Sequence, residues 1–452
     1  MSPQVCLEAF LKEKADGTLQ PKIATSWVIN NDPKNPSITF TFRKGVRFHD
    51  GTELNARVAS WSIQKLKDSG LFASVRYLKS LEVKDDYTLY IPMTEWRSSL
   101  MPAFAKNQHY LVSPTALENK GIDWLRWNMV GTGPFKQLSY QKDVVLKTVR
   151  NEDYWQPGKP YLFGVDYLFI ADEMTRNALF RSGGAEVLNT AGNARVASEF
   201  AAQGYKVVAQ VSGAEILIPD SANATSPWAN LKVRQAAEYA IDKEAIAKAF
   251  GFGYWKAANQ VPSPEAPAHT PTLPGRKYDT AKAKQLLSEA GFPNGFKTKI
   301  IAANTANKDI LVALQSHLAA VGIQVDLDFV EPMKVTEFQS KGWNNALLYI
   351  LMAGEGNYIP SIGFNFPPAR TGRYTVVKDP PNWKAIYDKA GTSAVMEPKL
   401  TQGFTQAQYD DVMLIPIYWE TALYVLRSNV QDFGLGTLGV GLWECADTWL
   451  SK

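Results

Sequence analysis

One glycine-rich segment near the end of this 452-residue sequence resembles a cofactor-binding motif. Gly434, Gly436 and Gly439 match the dinucleotide-binding pattern G-x-G-x-x-G. That pattern needs a strand before it, a helix after it and an acidic residue about 20 positions later. Only residues 440–452 follow the last glycine. No βαβ unit can form there, so we interpret the segment as a loop near a strand end.

Other common catalytic and metal-binding motifs are absent from the sequence. The sequence has no G-x-x-x-x-G-K-[ST], no H-E-x-x-H and no G-x-S-x-G. Its two cysteines form no C-x-x-C pair, which excludes a thiolate zinc site. The histidines are scattered along the sequence, and we interpret each as a surface or packed side chain. They are His49, His109, His269 and His317. We therefore expect no cofactor and no metal, although a carboxylate-based enzyme without a motif stays open.

The composition excludes two further classes of protein. Lys and Arg number 48 against 44 Asp and Glu, and no basic run reaches five residues, so a nucleic-acid-binding stripe is not expected. No apolar stretch approaches the roughly 20 residues of a membrane-spanning helix. Hydrophobic residues make up 45% and charged residues 20%, as in ordinary soluble proteins. The aromatic fraction of 12% is high and calls for an explanation beyond core packing.

The first part of the chain has mainly strand patterns. Alternation of apolar and polar residues predicts a half-buried strand over 38–43, and Asp50-Gly51-Thr52 predicts a tight turn. The more continuously apolar residues 165–170 predict a central strand, whereas residues 7–14 have a helix-like pattern. Further strands are predicted at 81–83, 88–91 and 144–149.

Helix–strand units are predicted from residue 230 onward. Asn230 is placed to cap a helix whose apolar positions continue to Phe250, and Asp279 is placed to cap the next helix. A helix over 307–321 is followed at once by an alternating strand, which is an α/β unit. The final strand pattern, 414–427, contains Pro416, which favours an edge or a bulge.

Seven segments carry distinctive residue combinations, in order along the chain: LQPKIATSW at 19–27, TFTFRKGVRFHDGTELNARV at 39–58, VGTGPFKQ at 130–137, RNEDYW at 150–155, VRQAAEYAIDKEAI at 233–246, YDTAKAKQLLSEAGFPNGF at 278–296 and IPIYW at 415–419. Each resembles a motif of the bacterial extracellular solute-binding proteins of family 5, the peptide- and nickel-binding components of ABC importers. Each match alone is moderate, but seven in the family's order leave little room for chance.

The resemblance implies an α/β fold of two lobes, the type II, cluster C-like fold of periplasmic binding proteins, with an extra subdomain. The family's export signal and first β-strand are expected to be missing because the start is truncated. On the family template the chain divides into lobe I at 1–30, 150–215 and 435–452, the extra subdomain at 31–149 and lobe II at 216–434. Both ends then belong to lobe I, and Cys6 and Cys445 could be close; a disulfide and two free thiols both stay open.

The implied function is capture of a peptide or similar small solute by hinge closure, followed by delivery to the membrane permease of an ABC transporter. No enzymatic activity and no nucleic acid are expected. The protein should be a monomer in the periplasm or attached to the cell envelope. Alternatives stay open: an enzyme on the same scaffold, a chaperone-like protein that has lost transport, or a binder of a nickel chelate, haem, an opine or an oligosaccharide.

The resemblance also directs attention to a segment of lobe II. Peptide binders of the family place an Asp there that pairs with the ligand's α-ammonium group, and the nearest acidic residue here is Glu355, between two glycines. Asn357 and Tyr358 follow it and could line the cleft. A ligand contact and a solvated loop are both compatible with these positions.

The other candidate ligand contacts lie outside that segment. Trp419 lies in a strand that reaches toward the hinge. Arg370 and Arg373 flank a glycine in a Pro/Gly-rich loop and could bind a carboxylate, or be solvated loop charges. Asp220 follows a strand near the crossover and could instead cap a turn.

Overall fold

The computed structural model describes residues 5–14, 16–69, 73–106, 109–354, 358–368, 373–436 and 443–452. The strands in these ranges are β1 Leu11–Glu13, β2 Leu19–Pro21, β3 Ala24–Asn30, β4 Ser37–Phe42, β5 Glu82–Asp85, β6 Thr88–Pro92, β7 Phe135–Gln141, β8 Val145–Arg150, β9 Asp166–Leu168, β10 Val187–Asn189, β11 Lys206–Pro219, β12 Lys256–Ala257, β13 Phe296–Ala303, β14 Ile323–Val330, β15 Ala346–Ala353, β16 Ile415–Leu426, β17 Val430–Gln431, β18 Gly434–Leu435, β19 Trp443–Glu444 and β20 Trp449–Leu450.

The α-helices in the same ranges are α1 Ala56–Asp68, α2 Leu100–Ala103, α3 Pro114–Lys120, α4 Ile122–Leu125, α5 Glu173–Arg181, α6 Ala194–Ala202, α7 Leu231–Ala240, α8 Lys243–Gly251, α9 Thr280–Glu289, α10 Lys308–Ala319, α11 Pro332–Lys341, α12 Tyr358–Asn365, α13 Trp383–Thr392 and α14 Pro398–Asp410. Short 3-10 helices cover Ala73–Tyr77, Pro227–Ala229 and Cys445–Asp447. No helix in the described part of the chain is long and apolar enough to cross a membrane.

Two small antiparallel sheets form much of the first part of the molecule. One has the strand order β3-β4-β6-β5, and the other has the order β7-β8-β9. The predicted strand over 38–43 is confirmed by β4, whose residues Ile38, Phe40 and Phe42 are buried in an aromatic cluster with Phe10 and Phe104. Alternating burial along this strand is what the sequence pattern requires.

Two predictions for the first part of the chain are wrong. Residues 165–170 do not form a central strand, because β9 is a three-residue edge strand with exposed Asp166 and Leu168. The helix expected over 7–14 is replaced by β1, which pairs with β2. Leu11 donates its backbone N–H to the carbonyl of Phe104, so tertiary contacts decide the conformation there.

The larger sheet organises the rest of the molecule. Its order is β10-β16-β11-β15-β13-β14, with β12 added beside β16. Strand β13 runs parallel to β14 and β15, whereas β11 runs antiparallel to both of its neighbours. Helices α7, α9 and α10 supply one core layer, and helices α12, α13 and α14 supply another. The sheet is therefore covered by helices on both faces, as in α/β proteins.

Strands β11 and β16, which we call the crossing strands, connect two separate cores. At one end β16 pairs with β10, and this end packs against a small core that contains Phe180, Phe200 and Val425. At the other end β11 pairs with β15, and both crossing strands enter the two large cores described above. The pairing shifts register between Val211 and Gly213. The molecule thus has two packed bodies joined through a bulged, two-stranded ribbon.

Helix starts were predicted well, whereas one helix was predicted too long. The side chain of Asn230 accepts a hydrogen bond from the N–H of Lys232, and that of Asp279 accepts one from the N–H of Lys282. The single helix expected to reach Phe250 is divided into α7 and α8. Asp242 caps α8 by accepting from the N–H of Ala245. An acceptor side chain inside an apolar pattern can begin a new helix.

Pro416 lies at a bulge, one of the two alternatives that the sequence left open. It faces Ile216 where the pairing of the crossing strands shifts register a second time. A bulge tolerates the missing proline N–H because pairing is already interrupted there.

The division into lobes stays a prediction, and three structural facts bear on it. Position 30/31 lies between β3 and β4, which pair with each other, and position 215/216 lies inside β11. Cys445, near the end of the chain, shares one buried cluster with Val5 and Cys6. Both cysteines are free thiols.

Candidate functional site

The crossing strands and β15 present an open surface next to the bulge. Gly213 pairs with Glu420 on one side and with Ala353 on the other, and Glu215 pairs with Leu351. Directly paired residues in an antiparallel sheet point to the same face. We call these five residues the crossing-strand face. Leu351 is 42% exposed and Ala353 is also exposed, so this face is accessible between the two bodies.

Buried aromatic side chains border the crossing-strand face. The hydroxyl oxygens of Tyr349 and Tyr418 lie 3.1 Å apart. Trp255 stacks on Tyr418 with ring centroids 4.4 Å apart and planes 6° apart. The indole Nε1 of Trp255 is buried and has no hydrogen-bond partner among the residues that the structure describes. A donor without a partner in a partly open site is available to a ligand or to water.

Two carboxyl groups lie on this face without a protein cation. Glu215 and Glu420 take part in no salt bridge within the described ranges. Burial raises the pKa of Glu215 to about 8, helped by the charge of Glu420 and opposed by the Tyr349 hydroxyl. Burial also raises the pKa of Glu420 to about 7. Near neutral pH this pair therefore holds a substantial fraction of its protons.

Two glycines at this site allow close approaches that a larger side chain would block. A Cβ atom on Gly213 would lie 2.2 Å from the carbonyl oxygen of Met352. A Cβ atom on Gly192, in the turn after β10, would lie 2.6 Å from Oε1 of Glu420. Both contacts are shorter than side chains tolerate. Gly213 therefore permits close pairing of β11 with β15, and Gly192 leaves room for the carboxyl group of Glu420.

A cavity of about 480 Å³ lies at the edge of the sheet next to β12. Trp255 and Trp419 line it together with the charged side chains of Glu244, Lys248 and Lys256. Its size falls within the range of small-molecule sites. No group of three or more metal-ligating side chains occurs in the described part of the chain.

Trp419 is the sequence-predicted site residue nearest to this region. It is 7% exposed, lines the cavity, and donates its indole N–H to the carbonyl of Val261 at 3.1 Å. Tyr358 belongs to the same hydrophobic core but is almost fully buried, and its hydroxyl donates to Gln408. Of this pair, only Trp419 lines the cavity.

Asp220 caps a turn, which is one of the two roles that its position in the sequence suggests. Its side chain is fully buried and accepts hydrogen bonds from the Ser226 hydroxyl at 2.8 Å and from the Asn345 N–H at 2.7 Å. Burial raises the pKa of Asp220. The carboxylate holds the chain after β11 against the loop before β15.

The remaining candidates are only partly described. Glu355, Asn357 and Arg370 lie outside the described residues, so their roles stay predictions. Arg373 places its guanidinium over the rings of Phe364 and Tyr374, at 5.0 Å and 5.4 Å from the ring centroids. Cation–π contacts of this kind hold the side chain on the protein surface.

Sequence reasoning missed Glu215 and Glu420. A signal was present, because each is an isolated acidic residue inside a strand that is otherwise apolar: GAEILIP at 213–219 and IPIYWETA at 415–422. Charged residues are almost never buried in strands without a partner. Their meeting on one face could not be read from the sequence, because it depends on the pairing of β11 with β16.

Two bodies joined by paired strands, with an accessible polar face between them, define the class of two-lobed solute-binding proteins. The chain belongs to the bacterial extracellular solute-binding proteins, family 5, whose middle region matches residues 18–389. The resemblance seen in the sequence motifs is thereby confirmed.

Curated relatives include glutathione-binding proteins. The chain is 30% identical over 335 residues to the glutathione-binding protein GsiB of Escherichia coli O157:H7, covering 72% of this chain and 64% of that protein. The corresponding protein of Salmonella choleraesuis is 30% identical over 332 residues, covering 71% and 63%. The matches thus span less than two thirds of the length of these relatives.

Solved structures confirm the two-lobed α/β fold. DppA from Helicobacter pylori in complex with the peptide STSA has a TM-score of 0.82 at 23% identity, covering 99% of this chain and 93% of that chain. NikA from Brucella suis in complex with Fe(III)-EDTA has a TM-score of 0.85 at 20% identity, covering 99% and 95%. At these identities the similarity establishes the fold alone.

Proposed function

We propose that this protein is the solute-binding component of an ABC importer, and that it captures a peptide-like solute between its two bodies and delivers it to a membrane permease. The observation that carries the proposal is the family match over residues 18–389, combined with an accessible face on the strands that join the two cores. The family consists of extracellular binding proteins, so we place this protein outside the cytoplasmic membrane, as a monomer.

A peptide-like solute is favoured by the named relatives. GsiB relatives are glutathione-binding proteins, and a structural neighbour holds a peptide. The crossing-strand face combines an apolar residue, two carboxyl groups and exposed sheet, which suits a ligand with both polar and apolar groups. Binding needs no covalent chemistry, and the relatives are transport proteins, so we assign no enzymatic activity.

The test is binding with closure. Protein freed of retained ligand by unfolding and refolding would be titrated with glutathione, trialanine and dialanine, followed by calorimetry and small-angle scattering. We expect saturable binding, a smaller radius of gyration in the complex, and the peptide recovered unchanged after incubation. Peptide hydrolysis would instead support an enzyme, and tight binding without any change in scattering would contradict the hinge mechanism. If no peptide binds, the same titration with a nickel chelate and an oligosaccharide separates the non-peptide alternatives.

A further inference from the structure

Glu215 and Glu420 lie on adjacent strands and point to the same side of the sheet. Glu215 faces Tyr418 in the pairing of the crossing strands, and Glu420 faces Gly213, so the two glutamates are diagonal neighbours. Diagonal neighbours of this kind are within reach of long side chains. The two carboxyl groups therefore form one site, which we call the acidic pair.

Apart from the Tyr349 hydroxyl beside Glu215, the acidic pair has few of the partners that carboxyl groups normally have in a protein. Oε2 of Glu215 is buried and accepts no hydrogen bond from the described residues. The carboxylate of Glu420 has no hydrogen-bond partner among the described residues. An unpaired buried acceptor costs free energy. An unpartnered buried oxygen of this kind is available to a donor from a ligand or from water.

The elements around the acidic pair provide no compensating positive charge. Strand β15 contributes the Tyr349 hydroxyl, and β16 contributes that of Tyr418. Lys256 of β12 pairs with Trp419 and so points to the opposite face. The turn over 190–193 contributes no charged side chain. The ionised form of the acidic pair therefore receives no compensating cation from the described residues.

We infer that the acidic pair binds an organic cation of the solute, either an ammonium or a guanidinium group. This inference rests on the proposed function and specifies the chemical class of ligand. The cation supplies hydrogen-bond donors to the unpartnered oxygens, and closure of the two bodies removes water from the contact. The adjacent Leu351 and Ala353 suit an apolar group next to the cation.

Proton release follows from this arrangement. Without ligand, burial holds the pKa values of the two carboxyl groups near 8 and 7, so the pair is partly protonated at neutral pH. A bound cation favours the ionised carboxylates and lowers both pKa values. Binding therefore releases about one proton at pH 7, and the affinity for a cation rises by up to about tenfold per pH unit between pH 6 and 8.

The experiment compares probes with and without a cation. The probes are trialanine, N-acetyl-trialanine, the lysine peptide N-acetyl-Ala-Lys-Ala, and the small pair argininamide and its uncharged isostere citrullinamide. Trialanine carries its cation at the amino terminus, and the lysine peptide carries its cation on a side chain. These two probes therefore distinguish the two sources of the cation. Calorimetry at pH 7 in phosphate and in Tris, whose ionisation enthalpies differ, gives the number of protons released.

The variants are Glu215→Gln, Glu420→Gln and, as a matched control, Glu289→Gln. The control removes an equal charge from an exposed ion pair with Lys232. We expect both variants of the acidic pair to weaken binding of a cationic probe by about ten- to a hundredfold and to reduce proton release. The control should bind like the wild type. Because glutamine resembles the protonated carboxyl group, the variants should fold, and circular dichroism checks this.

The outcomes separate this inference from the proposed function. Equal binding of cationic and acetylated trialanine, with no proton release, would overturn the acidic pair as a cation site and leave peptide binding intact. Binding of argininamide alone, lost in both variants, would support the cation site and overturn peptide binding. Failure of every probe to bind would overturn both.

Discussion

Arg234 is a buried cation that receives its compensation entirely from the protein, in contrast to the acidic pair. Its guanidinium is 1% exposed and donates to the carbonyls of Trp228 and Val412 and to the carboxylate of Asp411. These bonds fasten α7 to the turn that leads into β16. A buried charge with a complete set of partners stabilises a fold, and one without them is available for binding.

Replacing Arg234 by methionine should destabilise the protein strongly. The substitution fills similar space but leaves several buried oxygens without a donor, and we expect a loss of about 3–5 kcal/mol in the free energy of unfolding. Urea unfolding followed by fluorescence measures the loss. Arg57→Met is the control, because Arg57 forms an exposed pair with Asp86 and should change stability by less than about 0.5 kcal/mol. Similar losses in the two variants would contradict this account.

At the residue scale, the sequence predicts a group well when its partner is local. Asn230 and Asp279 were identified as helix caps because a cap bonds to an N–H two or three residues away. Glu215 and Glu420 were missed because they are 205 positions apart and meet only through strand pairing. Asp220 was an intermediate case, since its neighbour Ser226 is local but Asn345 is not.

The short segment before α2 links the core around Phe40 to helix α13. Trp96 donates its indole N–H to the carbonyl of Ser393 at 2.7 Å, and Ser98 donates to the carbonyls of Ala390 and Gly391 at the end of α13. The last carbonyls of a helix have no partner inside the helix. The segment over 96–98 supplies those partners, and it belongs to the predicted extra subdomain, whereas α13 belongs to predicted lobe II.

Trp96→Phe should shift the balance between the open and closed forms. The substitution keeps an aromatic ring but removes one hydrogen bond worth about 1 kcal/mol, so the apparent Kd for a peptide ligand should rise roughly five- to tenfold. Calorimetry gives the Kd, and scattering of the unliganded protein should show a larger radius of gyration. Trp449→Phe is the control, because Trp449 donates to the nearby Asp432 and is exposed. An unchanged Kd in Trp96→Phe would show that this contact does not stabilise closure.

At the scale of helices and strands, the sequence predicted elements that have long regular patterns. It did not predict which strands lie at the edge of a sheet. The helix–Gly–strand unit from 307 onward appeared as α10 and β14 because its alternation is long. Residues 165–170 were predicted as a central strand because apolar composition alone does not show whether a strand has two neighbours.

For the whole molecule, the acidic pair should produce an unusual pH dependence of stability. The pKa values of Glu215 and Glu420 are higher in the folded than in the unfolded protein, so the folded state binds more protons, and stability falls as the pH rises. Below pH 6.5 the buried His109, whose pKa burial lowers to about 3, acts in the opposite direction. The fall should therefore be clearest between pH 6.5 and 8.

Urea unfolding of the ligand-free protein at several pH values measures this effect. We expect a decrease of roughly 1–2 kcal/mol between pH 6.5 and 8. The double variant Glu215→Gln, Glu420→Gln should remove most of the decrease. A wild-type profile that is flat over this interval would show that the two carboxyl groups are ionised in the folded protein.

The overall fold was predictable from motif order rather than from local propensity. Segments spread from residue 19 to residue 419 matched the motifs of one family in the same order. The two-lobed architecture followed from that resemblance. The position of the crossing strands was harder to predict from the sequence. It depends on a bulge at Val211–Gly213, which no local pattern in the sequence indicates.

The cluster that joins Val5 and Cys6 to Cys445 has a consequence for synthesis at the ribosome. Phe135 and Leu146 belong to the same cluster, so a core begun early in translation is completed only by residues near the end of the chain. The segment over 206–426, in contrast, carries both crossing strands and the large cores within one uninterrupted stretch. The core around Phe10 and Phe104 is likewise complete within residues 10–111 and can pack early in translation. The cluster of Val5, Cys6 and Cys445, in contrast, closes only after the last residues of the chain have left the ribosome.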